Sequence, residues 1–214
     1  MHALFRDRQE AATRLALALA AWKGRNPLVV AIPRGAVGMA RIIANALGGD
    51  FDIVLVRKLA APGNPELAVG SVDESGWRHV APHASLYGAT PEWIEQQVHE
   101  QMEVMQQRRA RYAPASQPLD AAGRVVIAVD DGVATGATMI AALHSLRERH
   151  PAQLVCAVPV ATPEALQRLR QHADEVVCLH TPQDFDAVGR FYQHFPQVDD
   201  AEVMALLGNT SRQR

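Results

Sequence analysis

Five short runs of apolar, largely β-branched residues punctuate the chain: LVVAIP (28–33), FDIVLVRKL (51–59), RVVIAVDD (124–131), QLVCAVPVA (153–161) and EVVCLHTP (175–182). Their apolar stretches do not alternate with polar residues, so each fits a strand covered on both faces, which is the condition of a parallel sheet. The segments between them carry helical spacing. In VGMARIIANALGG, Val37, Ala40, Ile43 and Leu47 share one helical face, and Gly48-Gly49 supplies the stop. Further helices are predicted from Gly136 to about Arg149 and over PEALQRLRQHA. Strand–helix–strand units in succession make the fold α/β, a mainly parallel sheet with helices on both faces.

Other segments fit around this frame. Leu15, Leu19 and Trp22 recur at helical spacing, and Asp7 and Glu10 stand among the first arginines, so LALALAAW belongs to an amphipathic first helix and not to a signal peptide. AAPGNPELAVGSVDESG reads as a long loop, mobile and followed by a short hairpin. Thr90-Pro91-Glu92 opens a long helix with Ile94, Val98, Met102 and Met105 as its apolar stripe. PASQPLDAAG is a surface linker. The C-terminal region from Phe185 concentrates aromatics (Phe185, Phe191, Tyr192, Phe195) before a last short helix, and these suit a hood or a homodimer interface.

Composition narrows the function classes. With 214 residues, 21 Lys+Arg against 23 Asp+Glu and a formal charge of −2, the chain is expected to be one domain with no global basic field for nucleic acid. No apolar stretch reaches the ~20 residues of a membrane span. Cys156 and Cys178 lie in apolar runs without a CxxC or Cys-His arrangement, which suits reduced thiols in a cytoplasmic protein. His79 and His83 are separated by Pro82, which breaks any helix that would align them on a metal.

Ligands of open α/β sheets bind beyond the carboxyl ends of the strands. Here those ends carry Pro33-Arg34-Gly35, Arg57-Lys58 and Asp130-Asp131, both signs of charge at one sheet edge. Adjacent carboxylates past a buried strand are costly unless they meet hydroxyls or a cation; a ribose diol or a metal would satisfy them. Ala134-Thr135-Gly136-Ala137-Thr138 follows with small residues, two hydroxyls and the free N–H groups of a helix start, the donors a phosphate monoester needs. The spacing is neither GxxxxGK[ST] nor GxGxxG, which removes the ATPase and dinucleotide readings.

VVIAVDDGVATGAT closely resembles the phosphoribosyl pyrophosphate motif of the type I phosphoribosyltransferases. The resemblance extends to AIPRGAVG, to VRKLAAPGNPELAVGSVDESG and to VGRFYQHFPQVDDAEV, and so spans nearly the whole chain; it is similar in particular to the bacterial stand-alone phosphoribosyltransferases of unassigned acceptor. It implies a Rossmann-like single domain, 1–214, with a hood from about 1–25 and 183–214. It implies transfer of a 5-phosphoribosyl group from phosphoribosyl pyrophosphate to a nitrogenous, nucleobase-like acceptor, with release of pyrophosphate. Asp130 and Asp131 would hold the ribose hydroxyls, and Ala134, Thr135, Gly136, Ala137 and Thr138 the 5′-phosphate. Arg34 and Gly35 would form the pyrophosphate loop, Lys58 would add a cation, and the Pro62-Gly63-Asn64-Pro65 segment would close over the centre. Phe191 and Tyr192 would meet the acceptor. Mg²⁺ would be the cofactor, held mainly through the substrate with Asp130 as the candidate protein ligand.

One departure matters. Members acting on 6-oxopurines resemble one another in a Glu-containing acidic pair and a further Asp in the phosphate loop, where this chain has Asp130-Asp131 and Ala134, which argues against hypoxanthine or guanine. Two alternatives stay open: a non-catalytic regulator that senses phosphoribosyl pyrophosphate or a nucleotide, and a generic sugar-phosphate binder on the same sheet.

Overall fold

The computed structural model describes residues 3–113 and 118–208, without the side chain of Glu66; part of the expected linker, at 114–117, lies outside the described residues. In chain order the elements are α1 (Arg8–Ala18), β1 (Leu28–Ala31), α2 (Val37–Leu47), β2 (Asp50–Ile53), β3 (Val56–Ala61), β4 (Asn64–Asp73), β5 (Arg78–Val80), α3 (Pro91–Tyr112), β6 (Val125–Val129), α4 (Ala137–Arg147), β7 (Gln153–Val160), α5 (Pro163–Leu169), β8 (Glu175–His180) and α6 (Asp200–Gly208).

A five-stranded sheet of order β2-β1-β6-β7-β8, parallel throughout, forms the centre. Its strands are apolar on both faces because both are covered. Val29, Ala31, Ile127 and Val129 pack into the core that contains α1 and α2, while Leu28, Val30, Val126 and Ala128 pack with α4 and α5. Helix starts follow their local chemistry: the Asp7 carboxylate accepts from Glu10 N at 2.9 Å, and Thr90 and Thr162 hydroxyls accept from Trp93 N and Ala165 N ahead of Pro-opened helices.

Two expectations are corrected. FDIVLVRKL is not one strand: β2 ends at Ile53 in the parallel sheet, and Val56 begins β3 in a separate antiparallel sheet of order β3-β4-β5. The segment read as a long loop is mostly the ten-residue strand β4, paired to β3 across a turn at Pro62-Gly63. Its apolar residues Val69 and Val72 are fully buried, and that burial outweighs the turn-forming composition. Pro65 is tolerated because the register breaks between Leu59 and Ala61, and β5 pairs only with residues 70–72. The hairpin lies between two helices: Ser71 on one face donates its hydroxyl to Ala137 O of α4 at 2.8 Å, and Arg57 on the other donates to Gln101 of α3 at 2.9 Å.

The two ends of the described chain are stitched together. Phe5 bridges to Tyr192, Leu4 and Phe5 N–H both donate to Phe191 O, and Gln193 N–H donates to Phe5 O at 2.9 Å. Phe191 and Tyr192 are therefore spent inside the molecule, each only 5% exposed, while Phe185 and Phe195 are partly exposed. Among the described residues no helix is long and apolar enough to cross a membrane.

Gly70 tests the hairpin's packing, since a Cβ there would stand 2.4 Å from His79 O. Gly70→Ala is expected to cost about 1–3 kcal/mol by forcing β5 off β4, read as a lower midpoint in urea unfolding with little change in slope.

Candidate active site

β1 and β6 are hydrogen-bonded neighbours, with Ala31 opposite Val129, yet α2 crosses over to β2 and α4 to β7 on the other side. Loops leaving adjacent strands in opposite directions open a crevice at the strands' carboxyl ends. Residues 34–35 and 130–131 enter it from the two sides. The approach is close: a Cβ on Gly35 would lie 2.2 Å from Asp131 Oδ2, so a side chain there would have to displace the Asp131 carboxylate from its place beside Arg8. A cleft of 400 Å³ opens at the junction, lined by Arg8, Arg34, Gly35, Asp131, Val188 and residues 195–198.

The acid pair is held under tension. Asp130 Oδ1 accepts from Asp131 N–H at 2.9 Å, and burial, with the neighbouring Asp131 charge, pushes the Asp130 carboxyl well above the ordinary range. Burial raises Asp131 too, opposed by the Arg8 guanidinium, whose Nε donates to Oδ2 at 2.8 Å. A diol or a cation arriving here would replace missing solvation.

Beyond the acids the chain turns into α4 through residues 134–138. Val133 is bridged to Ala161, and Thr162 donates its hydroxyl to Ala134 O at 2.8 Å, which fixes the loop from behind. Gly136 takes the left-handed region (φ +85°), and α4 begins without a side-chain cap. Ala134 and Thr135 are exposed. The result is an accessible turn that leads into the uncapped first N–H groups of α4, the kind of donors an anion can take up.

The expected cations divide between two faces. Arg34 leans toward Asp200 at the start of α6, 3.9 Å from its Oδ1, and Arg108 Nε lies at the same distance. Asp200 also accepts from the Tyr112 hydroxyl at 2.6 Å and from Arg111 at 2.8 Å; the Tyr112 bond, aided by these arginines, holds its carboxyl below the ordinary range. Arg57 joins this cluster, its pKa lowered by burial and by Arg108 and Arg34. Lys58, exposed, stands instead opposite Ser71, on the hairpin face turned to α4 and the 134–138 loop.

Phe191 and Tyr192 are not on the cleft wall. Both rings are buried, tilted against Phe185 and Phe5 respectively, and the Tyr192 hydroxyl donates to Asp131 O at 2.6 Å. Phe195 lines the cleft in their place, with the Arg8 guanidinium 3.6 Å above its ring. Arg8, Phe195, Arg57 and Asp200 were not singled out as site residues from the sequence. Arg8 carried no signal beyond the charge pattern of its helix, whereas Arg57 stood at a strand end.

Among the described residues no three His, Cys, Asp or Glu side chains converge as a metal site. Asp130, with one oxygen engaged by a backbone N–H and the other accepting from no described residue, fits a Mg²⁺ that takes its remaining oxygens from substrate and water. Cys156 and Cys178 are free, and burial pushes both thiols up, away from nucleophilic use.

Strand order and crevice define an open α/β protein whose candidate site lies at the carboxyl ends of β1 and β6. Residues 7–193 match the model of the phosphoribosyl transferase domain, and the chain belongs to that family. It is 38% identical over 213 residues to a Mycobacterium tuberculosis protein provisionally named a phosphoribosyl transferase, in each of two strains; the match covers 98% of this chain and 47% of the relative. The chain thus spans about half the length of the curated relatives it matches. A crystal structure of TT1426 from Thermus thermophilus is similar at 46% identity and a TM-score of 0.81, covering 96% of this chain and 98% of that one.

The strain at Asp130 has a measurable sign. A carboxyl whose folded pKa is raised binds protons more tightly folded than unfolded, so it costs stability as pH rises from 3.8 through the folded value. Asp130→Asn is expected to raise Tm by about 2–6 °C at neutral pH. The gain should vanish near pH 3.8, as thermal melts across pH would record.

Proposed function

We propose that this chain transfers the 5-phosphoribosyl group of phosphoribosyl pyrophosphate to a nitrogenous, nucleobase-like acceptor and releases pyrophosphate. The observation that carries the reading is the acid pair at the end of β6, running straight into the uncapped start of α4. Carboxylates and free amides at that spacing suit the two ends of one ligand, a ribose diol and its 5′-phosphate. Family membership and the resemblance of VVIAVDDGVATGAT support the same assignment.

In this reading Asp130 and Asp131 accept hydrogen bonds from the ribose hydroxyls while residues 134–138 donate to the phosphate. Departure of pyrophosphate leaves positive charge on the sugar and negative charge on the leaving group. Arg34 and Gly35 receive the leaving group, Arg57 and Arg108 add positive potential on one side, and Lys58 does so from the hairpin. Asp130 would hold a Mg²⁺, which would supply positive charge to offset that building on the leaving group. Water must be kept from the sugar, a task that falls to the turn at Pro62-Gly63. The acceptor enters the 400 Å³ cleft beside Phe195. We read the described residues as one domain, with those within 3–25 and 183–208 forming the hood over that cleft. Two free cysteines suit work in the reducing cytoplasm.

Calorimetric titration tests the reading. Phosphoribosyl pyrophosphate with Mg²⁺ is expected to bind, and Asp131→Ala to weaken it by at least ~30-fold, the worth of a buried charged hydrogen bond and its neighbour. Pyrophosphate release across a panel of bases then separates an enzyme from a regulator that only binds. Equal binding of nucleotides, with Asp131→Ala silent, would sink the proposal.

A further inference from the structure

Arg8 opens α1, and its guanidinium is the hub of the crevice. Nε donates to Asp131 Oδ2 at 2.8 Å, Nη1 donates to Pro196 O at 2.7 Å, and Cζ stands 3.6 Å from the centre of the Phe195 ring. The Arg8 and Asp131 side chains are only 16% and 15% exposed, so this pair is poorly screened and its geometry is firmly set. A second cleft, of 460 Å³, lies on the α2 and α6 side and shares Arg8, Gly35, Pro196 and Val198 with the first. Arg8 is the partition between them.

The carboxylate it holds is fixed from three directions. Arg8 occupies Oδ2, the Gly35 backbone presses against the same oxygen, and Tyr192 holds the main-chain carbonyl of Asp131. Oδ1 accepts from no described residue and is the oxygen left for a ligand.

We propose that Arg8 is a positioning residue of phosphoribosyl transfer. It turns Asp131 so that Oδ1 meets a ribose hydroxyl, and it ties that acid to the Phe195-Pro196 wall where the acceptor enters. The inference rests on the ribose-diol reading of the acid pair. Without the guanidinium, Asp131 is free to rotate toward solvent, and the wall loses its link to the sugar site. An ammonium cannot replace it fully, because one point charge does not bond both oxygens and lie flat on an aromatic ring.

The test compares ribose 5-phosphate with 2,3-dideoxyribose 5-phosphate by calorimetry at one pH, in wild type, Arg8→Gln and Arg8→Lys. Wild type is expected to prefer the diol by ~30-fold, a charged hydrogen bond and its neighbour again setting the scale. Arg8→Gln should cut the preference to ~3-fold while the diol-free ligand binds as before, and Arg8→Lys should fall between. A merely structural role would weaken both ligands alike and keep the ratio; that result overturns the proposal. Arg8→Lys keeps the charge and reads the same ratio should Arg8→Gln not fold. A wild type indifferent to the diol would overturn the ribose reading itself, and the proposal with it.

Discussion

The parallel pairing of β1 with β6 is the constraint on which the rest of the molecule hangs. Parallel neighbours cannot be joined by a tight turn, so each strand sends its chain away through a helix, and here the two helices leave in opposite directions. The 34–35 and 130–131 segments are then forced together although nearly a hundred residues separate them. Their contact is tight enough that a side chain at position 35 would displace the Asp131 carboxylate. A crevice so made needs no loop of its own to define it, because the sheet defines it.

Charge at this crevice is arranged in complementary deficits. The acids carry more negative charge than Arg8 alone offsets, which is why burial drives both carboxyls toward protonation. On the α6 side Arg34, Arg108 and Arg111 gather around a single carboxylate, Asp200, and Arg57 adds its charge beside Arg34 and Arg108. In the proposed reading, a ligand with hydroxyls at one end and a multiply charged anion at the other would relieve both at once.

The parallel sheet was legible because its strands are covered on both faces and therefore apolar without alternation, as in VVIAV and LVCAVPV. The acid pair and the 134–138 loop were legible because their residue types and order are local. What escaped the sequence was long-range. Asn64 to Asp73 carries proline and glycine in loop-like proportion, and its strand character comes from burial of Val69 and Val72 in the core that also takes Ile94, Val98 and Met105 of α3. Arg8 meets Asp131 across 123 residues, and no local pattern marks that pairing. Phe191 and Tyr192 drew notice as aromatics near the C-terminus, whereas the pairing of Phe5 with Tyr192 turns both inward and leaves Phe195 on the wall.

The Ser71 hydroxyl bonded to Ala137 O has a mechanical corollary. It ties the hairpin to the first turn of α4, at the end of the 134–138 loop. Regular pairing of β3 with β4 lapses between Leu59 and Ala61. The part of the hairpin left outside that regular ladder is therefore short, the chain from Ala60 to Ala68.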